Sequence, residues 1–141
     1  MDEQTVPMAG HKLDFPSKVE NVSLVEHLID SVCEDYKVDE DYYGNILIAL
    51  TEAVNNAIHH GNASDPAKSI TVTFASKKEK QLSFTVADEG IGFNFDSLPD
   101  PTDPENIEKP HGRGVFLMRN LADEVVFHDN GRKVELNFNV N

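Results

Sequence analysis

Leu50-Thr51-Glu52-Ala53-Val54-Asn55-Asn56-Ala57-Ile58-His59-His60-Gly61 reads as the end of a long helix. Leu47, Leu50, Val54 and Ile58 form its bulky apolar face, and Ala49, Ala53 and Ala57 form a stripe of small residues beside it. Glu52 and Asn56 are i and i+4, so they share a face one turn apart. Polar pairs at that spacing are common on the flank of an ordinary amphipathic helix, and alone the pair reads that way. A helix with one apolar face needs a layer to cover it, so the flanking segments decide the architecture.

Upstream, Asp39 suits the N-cap of this helix, with Glu40 and Asp41 favourable in its first turn. Gly44 lies inside it at a cost of about 1 kcal/mol relative to alanine, which suggests close packing there. Gly61-Asn62 is a C-cap signal. An earlier helix carries Val22, Val25, Leu28, Ile29, Val32 and Tyr36 at helical spacing and should run to about Lys37. Ser17-Lys18-Val19-Glu20 predicts a capping box at its start. His11 to Phe15 is a short first strand that Pro16 ends.

Downstream, Asn62 to Lys68 is a loop. Ser69–Ser76 and Gln81–Ala87 both alternate apolar and polar residues around the charged turn Lys77–Lys80 and predict an antiparallel hairpin. Asn94 to His111 has no periodicity and holds Pro99, Pro101, Pro104 and Pro110. A structureless loop that long in a compact domain is usually functional. Gly112-Arg113-Gly114 opens a helix from Val115 to Ala122. Glu124–His128 and Arg132–Val140 are strands joined by an Asn-Gly turn at Asp129-Asn130-Gly131. The order β-α-α-β-β-loop-α-β-β, with one apolar face per strand, gives an α/β two-layer sandwich. Its sheet is mixed but mostly antiparallel, with the helices packed on one face. A single domain is expected over 11–141, behind a disordered stretch over 1–10.

The chain of 141 residues has 12 basic and 25 acidic side chains, a net charge of −13. That argues against binding a nucleic-acid backbone, which needs a basic face, and suits a basic protein partner. The single cysteine, Cys33, has no internal disulfide partner and sits in an apolar helical pattern, as a small core residue does. No apolar run is long enough to span a membrane and no signal-peptide pattern is present, so a cytoplasmic protein is expected.

Three motifs bear chemistry. Glu52 and Asn56 pair a carboxylate that can take a proton with an amide oxygen that can hold a hard cation, which suits phosphoryl transfer from a metal-bound nucleotide. Asp88-Glu89-Gly90-Ile91-Gly92 ends a strand; its carboxylate can accept a hydrogen bond from an exocyclic amine such as that of adenine. Taken alone it is equally a strand-ending turn. Gly112-Arg113-Gly114 presents free backbone N–H groups at a helix start, where phosphate binds, and Lys109, His111 and Arg113 add positive charge. Alone it is equally a hinge.

Together, E-x-x-x-N on a helix, D-x-G-x-G after a strand and G-x-G before a helix resemble the N, G1 and G2 boxes of the GHKL ATPase/kinase superfamily. EAVNNAIHHGN, DEGIGF and GRGVFLMRNLADEV resemble most closely its bacterial anti-sigma factor and serine-protein kinase branch, the RsbW and SpoIIAB type. The resemblance spans about Leu13 to Val140 and implies the Bergerat ATP-binding fold. It implies ATP and Mg²⁺ as cofactors, Glu52 as general base, Asn56 as metal ligand, and Asp88 with Gly90 and Gly92 at the adenine. Lys109, His111, Gly112, Arg113, Gly114 and Val115 would lie at the phosphate-contacting end of a lid over about 93–113. Asn55 and His60 stand where members often carry site-lining residues. The implied activity is that of a protein serine kinase and anti-sigma factor. Its partners would be a sigma factor and a STAS-type anti-sigma-factor antagonist, and it would be commonly dimeric. Two departures define alternatives. Members often carry Gly-Thr where this chain reads Gly131-Arg132-Lys133-Val134, and Lys18 is the only basic residue in the early region where some carry a first-helix arginine. A non-catalytic nucleotide-sensing module, or a stand-alone histidine-kinase-like catalytic domain, would share the same motifs.

Overall fold

The computed structural model describes residues 11–78, 80–90 and 110–140, without the side chains of 77, 78 and 110–113. Five strands and three α-helices account for most of them: β1 (His11–Pro16), α1 (Val22–Asp35), α2 (Glu40–Asn56), β2 (Ser69–Lys78), β3 (Gln81–Ala87), α3 (Pro110–Leu121), β4 (Glu124–His128) and β5 (Lys133–Asn139). The sheet order is β1-β2-β3-β5-β4, and all four pairings are antiparallel. The expected two-layer sandwich is thus present, its sheet antiparallel throughout. The stretch expected to be disordered, residues 1–10, and the lid expected over about 93–113, up to residue 109, lie outside the described residues.

Period-two alternation builds the core. Ile70, Val72 and Phe74 on β2, Leu82, Phe84 and Val86 on β3, and Val134, Leu136 and Phe138 on β5 are all buried. Directly opposed residues share a face, so Phe74 meets Phe84 across one pairing and Leu136 meets Phe84 across the next. An aromatic row crosses the sheet: Tyr36 packs edge-on to Phe74 at 5.4 Å between ring centres, Phe74 lies 5.1 Å from Phe84, and Phe84 lies 6.2 Å from Phe138. Val25, Ile29 and Val32 of α1 and Ile46, Leu50 and Val54 of α2 cover this face. The opposite face is polar, with Thr71, Thr73 and Thr85 half-buried.

Helix ends depart from the expected capping. Ser17 does not cap a helix. Its N–H donates to the Lys68 carbonyl (2.9 Å), extending the β1–β2 pairing, and its hydroxyl is buried without a partner. A short 3₁₀ turn, Val19–Asn21, intervenes before α1, so Glu20 is not wound into the position that a capping box needs. α1 ends at Asp35, two residues before the expected Lys37: Lys37 is left-handed (φ 54°), its N–H reaches Glu34 O and the Val38 N–H reaches Cys33 O, a Schellman arrangement. Cys33 belongs to the core as expected. Burial first, and the Asp30 charge second, push its thiol up to about 11.

The turn after β4 is longer than the two-residue Asn-Gly type expected. His128 pairs with Lys133, which leaves four residues in the connection. Asp129, Asn130 and Gly131 all have positive φ (52°, 58° and 90°), and the last strand starts at Lys133. Among the described residues no helix is long and apolar enough to cross a membrane.

Gly44 is not held by close packing: nothing lies within 4 Å of where a Cβ would stand. Gly44→Ala therefore gains helix propensity without a clash. It should raise stability by about 1 kcal/mol, a rise in melting temperature of roughly 2–4 °C, measurable by thermal unfolding.

Candidate functional site

α2 runs down the middle of the helical layer between α1 and α3. Its apolar stripe faces the sheet, which turns Glu52 and Asn56, both half-buried, toward α3. After Asn56 the helix widens into a single π turn, Ala57–Gly61. Such turns recur at functional sites because one added residue re-aims the side chains that follow. Here the π turn carries His60 and Gly61 to the end of β3, where Asp88 stands.

Gly61 is therefore not the left-handed C-cap that its position suggested. A Cβ on it would lie 2.3 Å from Asp88 Oδ2 and 2.4 Å from its Cγ. A Cβ on Gly90 would lie 1.7 Å from the Gly61 carbonyl oxygen. The helix end and the D-x-G turn are pressed together backbone to backbone, and each glycine makes room for the other. Asn62, fully buried, ties the joint: its Nδ2 donates to Ser69 O (3.0 Å) and its Oδ1 accepts from Glu89 N (2.8 Å). Glu89 Oε1 accepts from Ser69 N (2.8 Å).

Asp88 is positioned from both sides. Its N–H donates to Arg132 O (2.9 Å), and its Oδ1 accepts from Gly90 N (2.8 Å). Burial raises its pKa above the ordinary carboxylate range. The Gly90 N–H, then the charges of Arg132 and Lys68, oppose that rise without cancelling it.

A solvent-open pocket lies between α2, α3 and the ends of β3, β4 and β5. Asn56 and His60 line it from α2 and the π turn, Asp88 from β3, and Val115 and Met118 from α3. Phe127, Gly131, Arg132 and Val134 close it from the β4–β5 side. The Arg119 guanidinium lies 5.5 Å over the Phe127 ring.

α3 begins at Pro110, five residues before the expected Val115, so the G-R-G motif lies in its first turn rather than ahead of it. Proline suits that first position, since its missing N–H is not needed there. Gly114 rests on the α2 pair: a Cβ there would stand 3.1 Å from Glu52 Oε1 and 3.2 Å from both side-chain atoms Nδ2 and Oδ1 of Asn56.

Of the sequence-predicted residues, Asn56, Asp88 and Val115 line this pocket; Gly90 packs against Gly61 of its wall, and Glu52 and Gly114 meet beside Asn56. Gly92 and Lys109 lie outside the described residues; His111, Gly112 and Arg113 are in the first turn of α3, their side chains outside the description. His60 lines the pocket, whereas Asn55 does not, and its Oδ1 is buried without a hydrogen-bond partner. Sequence reasoning assigned no site role to Asn62, Met118, Phe127, Arg132 or Val134, although Arg132 and Val134 stood in the stretch where related chains carry Gly-Thr and Asn62 in the C-cap signal.

This architecture is that of a two-layer α/β sandwich with one pocket between its helices and the ends of its strands, lined by apolar residues together with Asp88 and Asn56. The chain belongs to the histidine kinase-like ATPase domain family, whose model matches residues 15–138. It is 29% identical over 130 residues to the serine-protein kinase RsbW of Bacillus mycoides, covering 87% of this chain and 80% of that protein. It is 28% identical, with the same coverage, to that of Bacillus cereus. Among solved structures, the RsbU and RsbW domains of a Mycobacterium tuberculosis protein share its fold, with a TM-score of 0.67 at 16% identity, over 96% of this chain and 32% of that one.

Two substitutions test the joint. Gly90→Ala forces a Cβ onto backbone and should prevent folding or cost more than about 3 kcal/mol, whereas Gly61→Ala meets a side chain and should cost less. Denaturant unfolding of both variants ranks them. Asp88→Asn tests the burial. In the window above the ordinary carboxylate range and below its raised pKa, the native chain holds more protons than the unfolded one, so this group's contribution to stability falls as pH rises through it. Asp88→Asn should raise the ligand-free melting temperature at pH 7, and the gain should shrink as pH falls into the ordinary carboxylate range, followed by thermal unfolding across pH.

Proposed function

We propose that the chain is an ATP- and Mg²⁺-dependent protein serine kinase that phosphorylates a STAS-type anti-sigma-factor antagonist and, in its other state, holds a sigma factor inactive. The observation that carries this reading is one pocket that joins an apolar wall to Asp88 and Asn56, with Glu52 and Asn56 together beside Gly114. The relatives named serine-protein kinase supply the reaction class.

The residues present fit the cofactors. Asp88 offers a carboxylate acceptor to the adenine amine, and the apolar wall takes the ring faces. Asn56 offers an amide oxygen to the cation. Mg²⁺ held by one protein oxygen and nucleotide phosphates would need no further protein ligand there. Bound ATP supplies the phosphoryl group. The start of α3 at Pro110 favours the negative charge of the phosphates, and Gly114 leaves room for the Glu52 and Asn56 side chains beneath it. Glu52 takes the proton of the incoming serine hydroxyl, one helical turn from the metal ligand. A net charge of −13 favours a basic patch on the partner, and a cytoplasmic homodimer is the expected setting.

Labelling with γ-³²P-ATP in the presence of a candidate antagonist tests the reading. The unaltered chain should transfer acid-stable label to a serine of the partner, and Glu52→Ala should lower the rate by 10²-fold or more while retaining ATP affinity within about threefold. Acid-labile label would point to histidine instead. ATP binding without transfer to any partner would reduce the protein to a nucleotide-sensing module.

A further inference from the structure

The purine end of the pocket carries a cation as well as Asp88. Three successive left-handed residues, Asp129, Asn130 and Gly131, turn the chain so that Arg132 stands on the pocket wall beside Asp88. The position is held twice over. Arg132 O accepts from Asp88 N (2.9 Å), and Arg132 N and Nε both donate to Asp129 O (3.1 Å each). With Nε so engaged, the Nη groups bond nothing among the described residues. Their charge is nonetheless close enough to Asp88 to favour its ionised form. Arg119, by contrast, lies over the Phe127 ring. The rest of the wall is mostly apolar, including Ala53, Ala57, Val86, Met118 and Val134, so discrimination falls to very few groups.

Adenine presents its 6-amine between two ring acceptors, N1 on one edge and N7 on the other. A carboxylate acceptor and a guanidinium donor side by side complement either donor–acceptor pair. We infer that Arg132 is a specificity-determining residue of the nucleotide site, its Nη donors reading the ring nitrogen next to the amine that Asp88 accepts. The inference rests on the adenine reading of the pocket and extends it to a second, charged contact on the base edge.

Calorimetric titration of the full chain with ATP, 1-deaza-ATP and 7-deaza-ATP tests it, each analogue lacking one ring acceptor. The unaltered chain should bind one analogue about tenfold more weakly than ATP, as loss of one charge-assisted hydrogen bond requires. Arg132→Ala should weaken ATP about tenfold and erase that difference, since the contact is then already gone. Arg132→Gln, which keeps a donor and suits the same exposed position, should retain part of the discrimination and serves if the alanine variant does not fold. Equal weakening of all three nucleotides by Arg132→Ala would overturn the inference in favour of a structural or purely electrostatic role, as would unchanged ATP affinity. If the unaltered chain binds ATP but ranks the three nucleotides alike, the inference alone falls. If it binds no adenine nucleotide, the adenine reading falls with it.

Discussion

Gly61 and Gly90 meet with no side chain between them, and the Asp88 carboxylate fills the space that a Cβ on Gly61 would need. This joint locks the end of the α2 π turn to the end of β3. Asn62 adds the start of β2, and because its side chain is fully buried, a lost partner would leave an unsatisfied group costing about 1–3 kcal/mol. Three elements are therefore pinned at one point. Because an α-helix advances by a set rise per residue, pinning its end also sets how far Glu52 and Asn56 stand from Asp88. The shape of the pocket depends on that spacing.

The joint holds Asp88 in an environment that disfavours its charge. Burial against an apolar wall raises its pKa, and one backbone N–H and two cations only partly offset the rise. A more stable protein would carry an uncharged residue there. Perturbed carboxylates of this kind concentrate at functional sites because a group that is poorly solvated in the free protein is ready to bond a ligand. The same trade explains the π turn: a regular α-helix would satisfy its backbone more simply, but it would not bring Gly61 under Asp88.

α3 completes the site from the side opposite the joint. Its Gly114 lies directly over Glu52 and Asn56, where any larger residue would press on both side chains. Val115 and Met118, the next residues on that face, are buried and form part of the pocket wall. The α2–α3 contact is thus both core packing and site construction, and α3 cannot shift without opening the pocket.

Strand and helix identities were legible in the sequence because they follow from local periodicity: alternation in Ser69–Ser76, Gln81–Ala87 and Arg132–Val140, and 3.6-residue spacing in the two long helices. The E-x-x-x-N, D-x-G and G-x-G motifs were legible for the same reason, since each is set by a few neighbouring residues. Capping at Ser17 was misread because a hydrogen bond to Lys68, fifty-one positions away, claims that residue for the sheet. Gly61 was misread because its reason lies in Asp88 rather than in its own helix, and Gly44 because the space around it is empty. The insertion of β5 between β3 and β4 was decided only in three dimensions. Ala87 pairs with Lys133, and that non-local pairing brings Gly131, Arg132 and Val134 to Asp88. The sequence by itself determined which side chains could do chemistry. Which of them share one pocket was settled by long-range strand pairing and by two glycines that let backbones touch, neither of which leaves a periodic trace along the chain.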